Sequence, residues 1–260
     1  MKIMRNPTKN ILITGASSGL GAALALGYAK AGRVLYLQGR NSDKLDEIAG
    51  KCRNLGADVY TQVGDVTDAS AMQNWIENSD MQTPLDLVIA NAGISAGMGK
   101  NGENSEQVRR IFATNIDGVI NTVQPVIPLM LKRGKGQIAI MSSLAGIRAL
   151  PSSPAYSASK ACVRYYGESL RGALAFSGVS VSVICPGYIT TPMTAVNNFP
   201  MPFIMSAEKA AQRIIMGLEK KRGRIAFPLR LYLPLWLISC LSPRITDPVF
   251  SRLPAKPSLE

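Results

Sequence analysis

Short apolar runs alternate with helix-patterned stretches along most of this 260-residue chain, and that alternation constrains its fold more than any other feature. Residues 11–13 form a first apolar run, followed by a glycine-rich turn and an Ala- and Leu-rich stretch over 20–31 that ends at Gly32. Residues 34–37, 59–63, 85–90, 137–141 and 179–184 repeat the strand pattern. Between them, 44–55, 69–78, 105–131 and 157–176 read as helices, with Ser42 or Asp43 capping the second. The stretch over 105–131 reads as one long helix or two abutting ones, interrupted near Pro125 and Pro128. Strands separated by helices imply βαβ units and therefore a parallel sheet. Right-handed crossovers then place helices on both faces. The expected fold is α/β: a Rossmann-like, doubly wound parallel sheet in a single domain over 1–224, with an apolar, basic C-terminal extension over 225–260. Ligands of such sheets bind beyond the carboxyl ends of the strands.

Composition narrows the chemistry. The chain has no histidine, which removes every scheme that needs imidazole, Ser-His-Asp and Cys-His included. Its four cysteines, Cys52, Cys162, Cys185 and Cys240, form no CxxC pair, so neither a zinc site nor a disulfide framework is expected. They read as small buried hydrophobes in a reducing, cytoplasmic compartment. The net charge of +12 reads as scattered surface cations, or as attraction to phosphate on a cofactor or on an anionic membrane surface. No motif supports nucleic-acid binding. The first ten residues run straight into the first strand without an apolar signal region.

The turn after the first strand reads Thr14-Gly-Ala-Ser-Ser-Gly-Leu-Gly21. Gly15 permits a sharp turn, Gly19 lets backbone approach a pyrophosphate, and Gly21 lets the helix pack against the sheet. The helix N-terminus offers free N–H groups and partial positive charge to phosphate. Ser17, Ser18 and Leu20 share this cradle. At the end of the second strand, where an NAD site carries an acid, stand Gly39 and then Arg40. A guanidinium there suits the 2′-phosphate of NADP, with Lys44 as a weaker contributor. Tyr156 and Lys160 are four apart, on one face of a helix. A free phenol titrates at about 10, and a neighbouring ammonium lowers that value towards neutrality.

The TGxxxGxG spacing over 14–21, together with Ser143 thirteen residues before Tyr156-x-x-x-Lys160, resembles the short-chain dehydrogenase/reductase family. The resemblance covers roughly residues 9 to 193, with its motifs in order. It implies that Ser143, rather than the adjacent Ser142, hydrogen-bonds a substrate carbonyl, and that Tyr156 gives or takes the proton. It implies that Lys160 lowers the tyrosine pKa and holds the nicotinamide ribose, and that Asn115 kinks its helix and anchors a proton-relay water. It implies that Asp65 and Val66 meet the adenine, that Asn91, Ala92 and Gly93 border the cofactor, and that Pro186, Gly187, Ile189 and Thr191 approach the carboxamide. Ala90 departs from the pattern, standing where the family often has a second asparagine. A homodimer or homotetramer also follows from the resemblance.

Two segments bear on the substrate. Residues 192–207 carry Met193, Phe199, Met201, Phe203, Ile204 and Met205, and read as an apolar flap over a lipophilic substrate or as a helix pair packed on the core. Residues 225–241 are strongly apolar and flanked by cations; the part after Arg230 has only eleven residues, too short to span a bilayer. Trp236 and Tyr232 suit a membrane interface, or else a subunit contact or pocket cover. The expected activity is NADP(H)-dependent interconversion of a lipophilic ketone and its alcohol. The alternatives are a nucleotide sensor without catalysis, or a membrane-associated scaffold, on the same fold.

Overall fold

Strands that are buried on both faces read as unbroken apolar runs, and all six expected from the sequence are present. The computed structural model describes residues 8–99, 102–252 and 256–258. Most of the lead-in to the first strand, and the last two residues, lie outside that range. The strands are β1 (Asn10–Thr14), β2 (Val34–Gly39), β3 (Asp58–Val63), β4 (Leu87–Ala90), β5 (Gly136–Met141) and β6 (Val179–Pro186), with a short parallel pair, β7 (Ile189–Thr190) and β8 (Met205–Ser206), beyond them. A further strand, β9 (Arg224–Phe227), completes a seven-stranded parallel sheet in the order β3-β2-β1-β4-β5-β6-β9.

That last strand corrects the expected domain boundary at 224/225. Residues 225–227 do not open an extension; they pair with β6 from Val183↔Arg224 to Pro186↔Phe227. Ile225 and Phe227 are buried against the helices of one face, so cutting before them would strip a strand from the sheet.

Side chains alternate across the sheet as the two-residue strand period requires. Ile11, Ile13, Leu35, Leu37, Leu87 and Ile89 face one layer, formed by α1 (Gly19–Tyr28), α2 (Ser42–Asn54) and the later helix α9 (Ala207–Glu219). Leu12, Tyr36, Val88, Ile138, Ile140 and Val181 face the other. That layer contains α3 (Ala69–Gln82), α4 (Ser105–Phe112), α5 (Gly118–Val123), α6 (Val126–Arg133) and α7 (Pro154–Ala173). After β7 come α8 (Pro192–Ala195), and after β9 come α10 (Leu229–Ser239) and α11 (Pro243–Phe250).

Local chemistry sets the helix ends. Asn41, rather than Ser42 or Asp43, caps α2 by accepting from Lys44 N at 2.8 Å, and Asp68 caps α3 by accepting from Ala71 N at 3.0 Å. The expected long helix over 105–131 is broken twice. A π-turn over Ala113–Asp117 separates α4 from α5, and Pro125 separates α5 from α6. Only Cys52 and Cys185 are buried; Cys162 and Cys240 are exposed, against the expectation that all four fill the core.

Candidate active site

β1 and β4 are neighbours in the sheet but their connections leave in opposite directions, which opens a crevice at their carboxyl ends. A cleft of ≈ 400 Å³ occupies it. The cradle over Gly15, Ser17, Ser18, Gly19, Leu20 and Gly21 lines it, as do Arg40, Asp65, Val66, Asn91, Ala92, Gly93, Ser143, Tyr156, Lys160, Pro186, Gly187, Ile189 and Thr191. Of the catalytic and cofactor residues expected from the sequence, only Asn115 is outside the lining, fully buried.

The cradle is tied down by short polar side chains. Thr14 Oγ1 accepts from Asn91 N at 3.1 Å and Ala92 N at 3.2 Å. Asn91 Nδ2 donates to Thr14 O at 2.9 Å and Gly15 O at 3.3 Å. Each such buried bond contributes about 1 kcal/mol net, so β1, the turn and β4 move as one piece. Gly15 sits at φ +66°, and a Cβ there would lie 2.8 Å from Ala92 Cα. Ser18 gives no side-chain cap to α1, so the first-turn N–H groups of that helix remain available to a ligand.

Beyond β2 the cleft is cationic and has no acid at the strand end. A Cβ on Gly39 would lie 3.0 Å from the Ser17 side chain, so a larger residue would crowd the cradle. Arg40 and Lys44 border the cleft here. Arg40 Nη1 is 3.7 Å from Asp65 Oδ2, with both side chains substantially in solvent. An exposed pair of this kind is weak, and leaves the guanidinium free to turn to a stronger anion.

At the other end, α7 carries Tyr156 and Lys160 in its first two turns, and Ser143 follows β5. Ser143 is near enough to Tyr156 to pull its titration down. Ser143 Oγ also accepts from Ala145 N at 3.1 Å. Ser142 is buried and donates to Lys160 O at 2.7 Å, a structural use that separates the two serines. Lys160 is buried, with Nζ donating to Met141 O at 2.9 Å and lying 5.8 Å from the Tyr156 ring centroid.

The electrostatics correct the expected tuning. Loss of water around Tyr156 pushes its phenol above the ordinary value, and Ser143 pulls the other way without winning. Burial draws Lys160 down to about 8, so near neutral pH its charge is already costly to hold. In the protein alone, desolvation therefore sets the direction of the phenol's shift.

Asn115 sits in the π-turn. Its Oδ1 accepts from Ile94 N at 2.8 Å, and its Nδ2 donates to Ile94 O at 2.9 Å and Ser159 Oγ at 3.0 Å. The side chain thus pins the loop after β4 to α7, and the helix is distorted at this residue as expected. Gly93 lies between them: a Cβ there would come 3.1 Å from Asn115 Oδ1 and 3.2 Å from Lys160 Nζ. The glycine-lined cradle, the free helix amides and the cations at the far end fit a dinucleotide lying along the cleft.

Several lining residues escape sequence reasoning. Gln38 is buried, accepts from Gly15 N at 3.3 Å and donates from Nε2 to Gly64 O at 2.6 Å. A lone glutamine ending an apolar strand was its signal. Thr114, Ile94, Met141 and Thr194 also line the cleft and carry no motif. The 192–207 segment forms no helix pair: it has the single short helix α8 and then a loop in which Phe199 packs edge-on to Tyr188 at 6.3 Å between centroids. Met193 projects into the cleft, and Phe203 and Ile204 are exposed.

The model of the short chain dehydrogenase family matches residues 9–200. The chain is 37% identical to an uncharacterized oxidoreductase of Myxococcus xanthus, over 94% of this chain and 97% of that one. It is 35% identical to an uncharacterized oxidoreductase of Mycobacterium tuberculosis, over 92% and 96%. A ketoacyl reductase of Nostoc is 29% identical, over 84% and 77%. Among solved structures, a short-chain type dehydrogenase/reductase from Mycobacterium marinum superposes with a TM-score of 0.76 at 26% identity, over 84% and 93% of the two chains. A short-chain dehydrogenase from Sphingobium yanoikuyae in complex with NADPH gives 0.80 at 23%, over 97% and 99%, a likeness of fold. With a serine, a tyrosine and a lysine gathered at one end of a glycine-cradled cleft, and with the family model covering the sheet that builds it, the chain belongs to the short-chain dehydrogenase family of oxidoreductases.

Proposed function

We propose that this protein is an NADP(H)-dependent carbonyl reductase, or the reverse alcohol dehydrogenase, acting on a lipophilic substrate. The observation that carries the reading is a single cleft with Ser143, Tyr156 and Lys160 at one end, and Arg40 and Lys44 with no strand-end acid at the other. Arg40 favours NADP over NAD because a guanidinium pairs with a 2′-phosphate. The Nostoc relative's name, a ketoacyl reductase, supports carbonyl reduction.

When bound, the nicotinamide supplies hydride to the carbonyl carbon, or accepts it in oxidation. Ser143 Oγ donates to the carbonyl oxygen and holds it beside Tyr156. Tyr156 gives that oxygen its hydroxyl proton, and a phenol with a raised pKa keeps that proton until the oxygen becomes basic. Lys160 binds the ribose and passes a replacement proton to Tyr156. Asn115 commits its side-chain amide to Ile94 and Ser159; the family resemblance gives it the anchoring of a relay water. The test is NADPH consumption over apolar ketones of graded chain length, with Tyr156→Phe as control. Turnover that disappears in the variant is expected; retained turnover would refute the proton-donor role.

A sensor without catalysis would have no use for a tyrosine–serine pair facing a buried lysine, which favours the enzyme. The family resemblance supports a homodimer or homotetramer. Peripheral membrane contact is supported by α10 and α11, where Leu229, Leu233, Trp236, Leu237, Leu241, Ile245 and Val249 are exposed beside Arg230, Arg244 and Arg252. No helix among the described residues is long and apolar enough to cross a membrane. Co-sedimentation with phosphatidylglycerol vesicles, lost in Leu233→Asp/Trp236→Asp, is the expected outcome; equal partitioning of the two proteins contradicts it.

A further inference from the structure

The C-terminal tail brings a second amine to Tyr156. Residues 256–258 lie along the loop that follows β4, with Gly97 N donating to Pro257 O at 2.7 Å and Gly99 N to Lys256 O at 3.0 Å. The approach is so close that a Cβ on Gly97 would come within 2.3 Å of Lys256 Cβ, so the loop must present glycine there. Lys256 Nζ then donates to Ser95 Oγ at 2.6 Å and lies 5.6 Å from the Tyr156 ring centroid.

This amine has no part in the steps above. It lies outside the lining of the cleft, beside the ring of Tyr156. An ammonium has three donors, and a hydroxyl is the one side-chain acceptor the structure gives it among the described residues. Among the described residues no carboxylate pairs with it, and burial draws its titration down to about 8. A cation held out of water without an anion is a standing cost. Two backbone hydrogen bonds and a glycine-only contact nevertheless hold it against the proton donor.

We infer that Lys256 is a substrate-recognition residue that receives a carboxylate on the carbonyl substrate, which makes the substrate an oxo acid with an apolar chain. The inference rests on the reductase reading above and adds the substrate class. The amine is 5.6 Å from the ring centroid of the proton donor, so a carboxylate that it receives would be near the carbonyl, as in a 2-oxo acid. The apolar chain would run towards Met193 and the flap beyond it.

The test compares 2-oxooctanoate with its methyl ester, using NADPH and full-length protein, in wild type, Lys256→Met and Lys256→Arg. Removing a charge-assisted hydrogen bond is worth about 10- to 100-fold. The acid-to-ester ratio of kcat/KM should therefore fall by about that factor in Lys256→Met, through KM, and recover in Lys256→Arg. An unchanged ratio in Lys256→Met overturns the proposal. Calorimetric binding of octanoate, without cofactor, separates the two readings. Octanoate binding lost in Lys256→Met while no carbonyl is turned over upholds the anion site and removes the reductase. Ester turnover with octanoate bound equally by wild type and Lys256→Met does the reverse.

Discussion

Gly21→Ala is the sharpest perturbation of the cradle. A Cβ at Gly21 would stand 2.0 Å from Gly15 O, 2.8 Å from Gly15 C and 2.6 Å from Asn91 Nδ2. Real Cβ contacts do not fall below 3.0 Å, so the start of α1 and the turn must separate by at least 1.0 Å (3.0 less 2.0). Two of these atoms, Gly15 O and C, are backbone, and the Asn91 side chain is held by Thr14 O and Gly15 O, so neither side yields freely. Overpacking of this kind costs about 1–3 kcal/mol of stability. A displacement near 1 Å at a positioning site costs roughly 100-fold in function. The assay is the Kd for NADPH by fluorescence titration, read beside Tm. Gly172→Ala is the control: that glycine is in α7, exposed, with nothing within 4 Å of an added Cβ. It should leave Kd alone and raise stability by about 0.4–1 kcal/mol. A Gly21→Ala protein with unchanged Kd and Tm would refute the claim that close helix-to-turn packing builds the cofactor site.

Arg40→Ala should weaken NADPH binding about tenfold relative to NADH, a discounted value because the side chain is 56% exposed; an unchanged ratio of the two Kd values removes Arg40 from cofactor choice. Lys160 has a folded pKa of about 8 against an unfolded value near 10.5, so between those pH values the unfolded chain binds more protons and stability rises with pH. The urea midpoint of wild type should therefore rise relative to that of Lys160→Met as pH climbs from 8 to 10, the variant lacking that rise; an unchanged difference would refute it. The comparison is made with the variant because Cys52 and Cys185, both pushed up to about 11, act in the opposite direction in both proteins. Glu168→Ala should lower stability by about 2–3 kcal/mol in urea titration. It strands Arg164, bonded to Glu168 at 3.1 Å, and Arg224, whose Nε donates to Glu168 at 2.8 Å.

The sheet was legible because its central strands are buried on both sides, so that hydrophobicity alone marks them. The cradle was legible because its glycines follow one another at fixed spacing straight after a strand, although the residues that force Gly15 and Gly19 are Ala92 and Thr191, far along the chain. What stayed hidden depends on distance in sequence or on burial. Residues 225–227 merge into a longer apolar run, and only pairing with β6 distinguishes strand from tail. Gln38 and Thr114 line the cleft through geometry that no spacing encodes. The direction of the Tyr156 shift followed from how much water the fold removes, which a list of neighbouring residue types does not contain. Lys256 meets Ser95 across 161 positions, a contact that no local pattern announces.

The π-turn at Ala113–Asp117 has a consequence for tolerance to insertion and deletion. Such a turn is an α-helix carrying one surplus residue, and one residue is about 100° of rotation. Ahead of it, α4 turns Gln107 and Ile111 inward; behind it, α5 turns Val119, Thr122 and Val123 inward. Losing one residue between 113 and 117 would restore regular winding with Ile111 and Val119 about 20° apart, still on one face, but would unhook Asn115 from Ile94. The surplus residue therefore serves the placement of Asn115 rather than the packing of the helix, and only a second deletion, worth a further rotation of about 100°, would turn a buried stripe out to solvent.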